Sequence, residues 1–181
     1  MSHAGAGMME QAEAQTNKIS GYLDRLGEGF EVLGWAWNPE DPAQRLDIEV
    51  AVNGIVAGRT RADLLRGDVA EAGLGDGCYG FVWQLDVPVL PQAAEEVVIT
   101  ARDLASGAAL GHELRLDAAA LAGRLMEAAA MRDGEGRLHA MRMAARLAPA
   151  EPWYVMNLAE TLRGAGHALS LIHISEPTRP Y

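Results

Sequence analysis

Three glycines, at positions 75, 77 and 80, have the G-x-G-x-x-G spacing of a loop that binds a dinucleotide phosphate between a strand and a helix. Here a strand-like segment, residues 81–87, follows the glycines, and Asp76 places negative charge where the phosphate would lie. The motif therefore predicts a tight glycine turn before a strand. The sequence has no zinc-protease helix motif, nucleophile elbow, phosphate loop or cysteine–histidine pair, so we expect no catalytic residues, no metal and no cofactors.

Charged and metal-ligating side chains elsewhere are scattered. Asp63, Arg66 and Asp68 bracket a short segment and could hold a small cation, but helix capping by Asp63 with a local Arg66–carboxylate pair is the favoured interpretation. The histidines considered as ligands are His112, His139 and His167. They lack metal-ligand spacing and are expected at the surface. The single cysteine, Cys78, excludes an internal disulfide.

Tryptophans at period two offer a candidate sugar-stacking surface. Trp35 and Trp37 share one face of a predicted strand with Leu33, and Trp83 lies between Phe81 and Leu85 on another. Aromatic faces can stack on sugar rings, but a sandwich must first fill its own core. The pattern favours core packing, with sugar stacking by one of the tryptophans as the alternative.

A candidate peptide-binding pair lies near the C-terminal end of the helical region. Helical spacing places Trp153 and Asn157 on one face of a predicted helix, and a concave helical surface of this kind commonly holds a peptide. Packing of Trp153 against the preceding helix is the favoured interpretation, because the side chain is large and apolar.

The distribution of charge argues against nucleic acid and membrane partners. The formal net charge is -10, and residues 19–117 carry 17 acidic side chains against 7 arginines. Residues 118–168 carry 6 arginines against 5 acidic side chains, so neither part offers the clustered basic face that phosphates require. Residues 1–17 have no basic, apolar signal pattern and are expected to form a flexible leader. A cytoplasmic location is the default expectation.

The residue pattern of the chain changes near residue 117. Residues 18–117 contain short alternating segments with turn residues between them, including Asn53-Gly54, which is the strongest short-range signal for a hairpin. Residues 64–73 interrupt them with one or two predicted helical turns. Residues 118–168 are rich in helix-forming residues, with breaks at Asp133-Gly134 and Pro149. We therefore predict an α+β fold in two segregated parts, an antiparallel β-sandwich followed by α-helical hairpins.

The helical part resembles a tetratricopeptide repeat. The residues that carry the resemblance are Met141, Ala144, Leu147, Pro149, Trp153, Tyr154, Leu158, Ala159, Leu162 and Gly166. Small residues allow close helix approach, and proline ends one helix before the next. Arg137 and Ala159 depart from the pattern, and about one and a half repeats are visible, whereas stable arrays have three or more.

The β part, residues 19–116, resembles an accessory domain that occurs in bacterial proteins beside glycosyltransferase domains and tetratricopeptide repeats. The residues that carry the resemblance are Gly21, Asp24, Gly34, Trp35, Ala36, Val50, Val52, Gly54, Val56, Ala62, Asp63, Arg66, Asp68, Ala72, Gly73, Gly75, Asp76, Gly77, Gly80 and Phe81. The resemblance implies a noncatalytic β-sandwich attached to a larger protein, and it implies no particular ligand.

The segment 169–181, LSLIHISEPTRPY, differs in composition from the rest of the chain. Prolines at 177 and 180 prevent a continuing helix. Residues 169–179 resemble the translation of a sequencing-library adaptor. We therefore expect this tail to be non-native, with native sequence ending near Ala168 and the chain being an N-terminal fragment.

These observations favour a noncatalytic protein-interaction or scaffolding fragment whose partner is a protein or peptide. Two alternatives remain. The chain could be the accessory part of a glycosyltransferase-type enzyme whose catalytic domain lies elsewhere, or the sandwich could bind carbohydrate directly.

Overall fold

A computed structural model of the protein describes residues 19–164. The predicted leader (1–17), the end of the predicted helical region with Gly166 and His167, and the predicted tail (169–181) lie outside the described residues. The strands are β1 (Ser20–Leu26), β2 (Glu31–Trp37), β3 (Asp47–Val52), β4 (Ile55–Arg61), β5 (Leu64–Leu65), β6 (Cys78–Gln84), β7 (Glu96–Asp103) and β8 (Leu114–Asp117). The helices are α1 (Gly67–Glu71), α2 (Ala118–Ala130), α3 (Gly134–Leu147) and α4 (Pro152–Gly164).

The strands form two antiparallel sheets of four strands. The first sheet has the order β1-β2-β6-β5, and the second has the order β4-β3-β7-β8. Val32 and Phe81 of the first sheet belong to the same buried cluster as Ile48, Val50 and Ile99 of the second. The mixed α+β class is confirmed, and two sheets with a shared core fit the predicted sandwich.

The Asn53-Gly54 turn joins β3 to β4 as predicted. Both residues have positive φ angles, 47° and 79°, which are the conformations of a type I′ hairpin turn. The Asn53 side chain also contacts β7, because Nδ2 donates to the Glu96 carbonyl at 3.1 Å and Oδ1 accepts from the Val98 amide at 2.7 Å. The turn therefore sets the hairpin register and ties the hairpin to the next strand.

The segment between β4 and β6 differs in part from the prediction. Leu64 and Leu65, expected in a helical turn, form the short strand β5 against β6, and only Gly67–Glu71 is helical. Asp63 does not cap the helix, because α1 begins after Arg66 and has no side-chain cap. Pairing with β6 satisfies the backbone of residues 64–65 and overrides their helical spacing.

The helices continue the same core without a break. Asp117 ends β8 and caps α2, its side chain accepting a hydrogen bond from the Ala120 amide at 2.7 Å. α2 packs against α3, and α3 packs against α4. Leu121, Leu125 and Leu158 are buried in the cluster that also contains the residues of both sheets. The helices therefore pack as part of one continuous apolar interior.

Glu49 forms a cross-strand ion triad on the outer face of the second sheet. It lies in β3 directly between Arg59 of β4 and Arg102 of β7. Arg102 Nε donates to Glu49 Oε1 at 2.8 Å, and Arg59 Nη2 donates to Glu49 Oε2 at 3.2 Å. These hydrogen bonds, Arg102 foremost, lower the pKa of Glu49 below its ordinary value.

We expect the triad to make stability depend on pH. Because the folded pKa of Glu49 is lowered, its contribution is complete above the unfolded pKa and is lost as pH falls through the folded pKa. Glu49→Gln should lower the thermal midpoint most at neutral pH, and the difference from wild type should shrink below about pH 4. Thermal unfolding followed by circular dichroism between acidic and neutral pH measures this. Glu28→Gln, at an exposed position, is the control, and a pH-independent difference for Glu49→Gln would contradict the prediction.

Candidate functional site

A groove of about 320 Å³ lies among the last three helices. Its lining residues are Met126, Glu127, Ala130, Arg137, Met141, Trp153 and Asn157. Trp153 and Asn157 lie one turn apart on α4, where Asn157 Nδ2 donates to the Trp153 carbonyl at 2.8 Å. The structure therefore brings the two predicted peptide-binding residues into one groove, with residues of α2 and α3 that sequence reasoning did not associate with them.

Trp153 is 63% exposed, so the expectation that it packs against the preceding helix is wrong. Its neighbours on α4 make those contacts instead. Leu158 and Leu162 are buried, and Tyr154 packs against the buried cluster. The apolar stripe of α4 is thus rotated away from Trp153, and the indole is left on the wall of the groove.

Polar groups in the groove come from all three helices. Glu127 of α2, Arg137 of α3 and Asn157 of α4 supply a carboxylate, a guanidinium and an amide among apolar side chains. Arg137 Nε is buried and has no hydrogen-bond partner among residues 19–164. A few convergent polar groups in an apolar concavity are the usual composition of a ligand site, where the polar groups fix orientation.

Trp35 and Trp37 share a face with Leu33, as predicted, but that face is the outer one. The inward positions of β2 are Val32, Gly34 and Ala36, all of them buried. A Cβ at Gly34 would lie 2.5 Å from Phe81 Cζ, which shows that the Phe81 ring fills the space inside β2. The favoured interpretation of Trp35 and Trp37 as core packing is therefore wrong.

The three candidate sugar-stacking tryptophans lie in different environments. Trp37 packs beside Tyr79 with ring centroids 6.1 Å apart, and its Nε1 is buried. Trp83 packs against the core cluster, and its indole covers Gly58 of the opposite sheet. Trp35 lies on the outer face, paired in register with Tyr22 of β1 and Gly80 of β6. The structure therefore does not bring the three tryptophans together.

Sequence reasoning missed an aromatic cluster on the outer face of the first sheet. Tyr22 is 50% exposed and stacks on His112, with ring centroids 5.7 Å apart and planes inclined by 16°. His112 has a positive φ of 70°, an uncommon conformation for a side chain of this size. No local signal connects positions 22 and 112, because the stacking depends on the contact between Gly111 and β1.

An Asp24–Arg66–Asp68 network lies beside this cluster. Arg66 Nε and Nη2 donate to the two Asp68 carboxylate oxygens at 2.9 and 2.7 Å, and Nη1 donates to Asp24 Oδ2 at 2.6 Å. Hydrogen bonds from Arg66 lower the pKa of Asp68. The carboxylates of Asp68, which has the larger effect, and of Asp24 raise the pKa of Arg66. The predicted Arg66–carboxylate pair is confirmed, and Asp24 is an additional partner that is distant in sequence.

The glycine motif forms a turn, and His139 lies beside an aspartate. Gly75 and Gly77 have positive φ angles in the turn that leads into β6, so the predicted glycine turn is confirmed. Asp76 in that turn pairs with Arg45 and accepts from the Cys78 amide at 2.9 Å. His139 Nε2 lies 3.5 Å from Asp86 Oδ1. Within residues 19–164, no three histidine, cysteine or acidic side chains converge as a metal site would require.

Comparisons of the chain with protein-family models, with curated proteins and with solved structures find no match. In the part of the chain from residue 19 to residue 164, none of the helices has the length and apolar character needed to cross a membrane.

Proposed function

We propose that this protein is a noncatalytic protein-interaction module that holds a peptide in the groove formed by α2, α3 and α4. The observation that carries the proposal is the exposure of Trp153 on the groove wall, opposite residues of two other helices. A tryptophan that is 63% exposed at such a site is available to pack against a partner. Tryptophan is also among the residues that most often dominate binding energy at interfaces.

The other groove residues support an apolar anchor with polar flanks. Met126 and Met141 provide flexible, polarisable side chains that can adapt to an inserted side chain. Arg137, Glu127 and Asn157 offer charge and hydrogen bonds to the polar parts of a peptide. We therefore expect the preferred peptide to place one large apolar side chain between the methionines and Trp153.

The helical region as a tetratricopeptide-like unit is part of the same proposal. Helices of 13, 14 and 13 residues that pack in sequential order support it, because stacked helices of similar length create concave binding surfaces. The resemblance of residues 19–116 to a noncatalytic accessory domain supports a role in bringing partners together.

Replacing Trp153 should abolish most of the binding. A displayed library of random peptides selected on the wild-type chain should yield binders, and Trp153→Ala should weaken the best of them by about 2 kcal/mol, a roughly 30-fold rise in Kd. Fluorescence anisotropy of the labelled peptide measures the change. Because Trp153 is exposed, circular dichroism should report an unchanged fold.

Met131→Ala is the matched control, because Met131 is exposed at the end of α2 but does not line the groove. It should leave the peptide Kd unchanged. A library that yields no binder, or a selected peptide that binds Trp153→Ala as tightly as wild type, would refute the groove as the binding site.

A further inference from the structure

We infer that the outer face of the first sheet is a binding site for a neutral oligosaccharide, built from the Tyr22–His112 stack, Trp35 and the Asp24–Arg66–Asp68 network. This site is independent of the helical groove. Tyr22 and Trp35 are register partners on neighbouring strands, so their side chains are adjacent on the same outer face. The stacked His112 ring extends the aromatic surface beyond the edge of β1.

The charged network borders the aromatic surface on the same face. A Cβ at Gly80 would lie 2.7 Å from Arg66 Cγ, so the aliphatic stem of Arg66 lies over Gly80, the register partner of Trp35. From there the guanidinium reaches Asp24 on β1. Arg66 therefore crosses the sheet beside Trp35 and ends next to the strand that carries Tyr22.

This arrangement matches the two chemical faces of a sugar ring. Aromatic rings offer a flat apolar surface to the C–H face of a sugar, while carboxylate and guanidinium groups bind its hydroxyls. Among residues 19–164, Asp24 Oδ1 is not engaged by Arg66, and the guanidinium has donors beyond the three that bind Asp24 and Asp68. Both remain partly exposed, as binding to hydroxyls requires.

Charge selects a neutral ligand over an anionic one. Within the network two carboxylates surround the Arg66 guanidinium, Arg25 of β1 is a further cation at the register position of Leu33, and the whole chain carries a formal charge of -10. An anionic sugar, a phosphate or a nucleic acid would be repelled, whereas neutral hydroxyls carry no such penalty. An apolar peptide would desolvate the Asp24 oxygen and the guanidinium donors that Arg66, Asp24 and Asp68 do not use among themselves, and it would offer them no hydrogen bonds, which is costly.

The backbone holds His112 in an uncommon conformation. Its φ of 70° keeps the ring against Tyr22, while Gly111 donates its amide to the Gly21 carbonyl at 3.0 Å. Asparagine tolerates this conformation well, so His112→Asn removes the ring without disturbing the backbone. This substitution separates a role of the ring in binding from a role of the loop in folding.

The test is a glycan array of neutral, sialylated and sulfated oligosaccharides, followed by titration calorimetry with the best neutral glycan. We expect the wild-type chain to bind neutral glycans in preference to anionic ones. Tyr22→Ser and His112→Asn should each weaken binding by about three- to tenfold, because each removes one aromatic contact. Their thermal midpoints should remain close to that of wild type, because both residues are exposed.

Ile55→Ser is the control, since Ile55 is exposed at the tip of the β3–β4 hairpin in the other sheet. It should bind the glycan like wild type, as should Trp153→Ala, which keeps this test separate from that of the groove. Absence of wild-type binding to every neutral glycan, a preference for anionic glycans, or undiminished binding by Tyr22→Ser would each overturn the inference. A protein ligand that competes for this face without any glycan binding would overturn it as well.

Discussion

Phe81→Ala should destabilise the protein by about 3–5 kcal/mol, the usual cost of removing a fully buried aromatic ring from a core. Phe81 is 1% exposed, and its ring lies directly inside Gly34 of the neighbouring strand. Glycine cannot move to fill the resulting cavity, so the space should remain open and the cost should be near the upper end. Urea unfolding followed by circular dichroism measures the change in the free energy of unfolding.

The pairing of Phe81 with Gly34 can be tested from the other side. Gly34→Ala would place a Cβ 2.5 Å from both Phe81 Cζ and the Tyr22 carbonyl oxygen, and overpacking of this kind costs about 1–3 kcal/mol. In a Phe81→Leu background that cost should fall, because the smaller side chain relieves one of the two contacts. The remaining contact with the Tyr22 carbonyl oxygen should keep the cost of Gly34→Ala above zero.

Val82→Ala is the control on the same strand. Val82 lies on the outer face and is partly exposed, so its truncation should cost much less than that of Phe81. Equal costs at positions 81 and 82, or a Gly34→Ala cost that is identical in both backgrounds, would contradict the packing of the Phe81 ring over Gly34 of the neighbouring strand.

Local patterns predict most of the elements of this fold. Alternation of apolar residues predicts β3, and the Asn53-Gly54 turn predicts its hairpin with β4, because both depend on neighbouring residues alone. The breaks at Asp133-Gly134 and Pro149 likewise separate the three long helices near their observed ends. Leu64 and Leu65 were misassigned because pairing with β6 is a long-range interaction.

Which face of an element is buried was harder to predict. Alternation along the strand shows that Leu33, Trp35 and Trp37 share a face. Whether that face points inward depends on the side chains that already fill the core, here the Phe81 ring and those of the opposite sheet. The same reason applies to Trp153, whose exposure follows from the way α4 packs. Size and apolarity argued for burial in both cases and gave the wrong answer.

The two candidate sites differ in how far the sequence predicts which residues form them. Trp153 and Asn157 could be grouped from sequence because they are one helical turn apart. The outer sheet face could not, because Tyr22, Arg66 and His112 are brought together only by strand pairing and by the loop before β8. Distant residues of this kind carry no local signal in a single sequence.

Leu90→Ala should destabilise the sheets and the helices together, by about 2–5 kcal/mol. Leu90 is 1% exposed and belongs to the continuous core cluster. Its carbonyl accepts a hydrogen bond from Arg146 Nε at 2.6 Å, and the Ala93 amide donates to the Arg146 carbonyl at 3.3 Å. The segment after β6 is therefore joined to α3 by both apolar and polar contacts.

Calorimetry and amide hydrogen exchange distinguish one cooperative unit from two. We expect the van't Hoff and calorimetric enthalpies of the wild-type chain to agree and Leu90→Ala to lower a single transition. Exchange should accelerate equally in β7 and in α3. Leu104→Ala, at a partly exposed position after β7, should have little effect. Two transitions, with only one shifted by Leu90→Ala, would instead mean that the change in residue pattern near residue 117 is a true domain boundary. The sandwich would then fold without the helices despite the shared core.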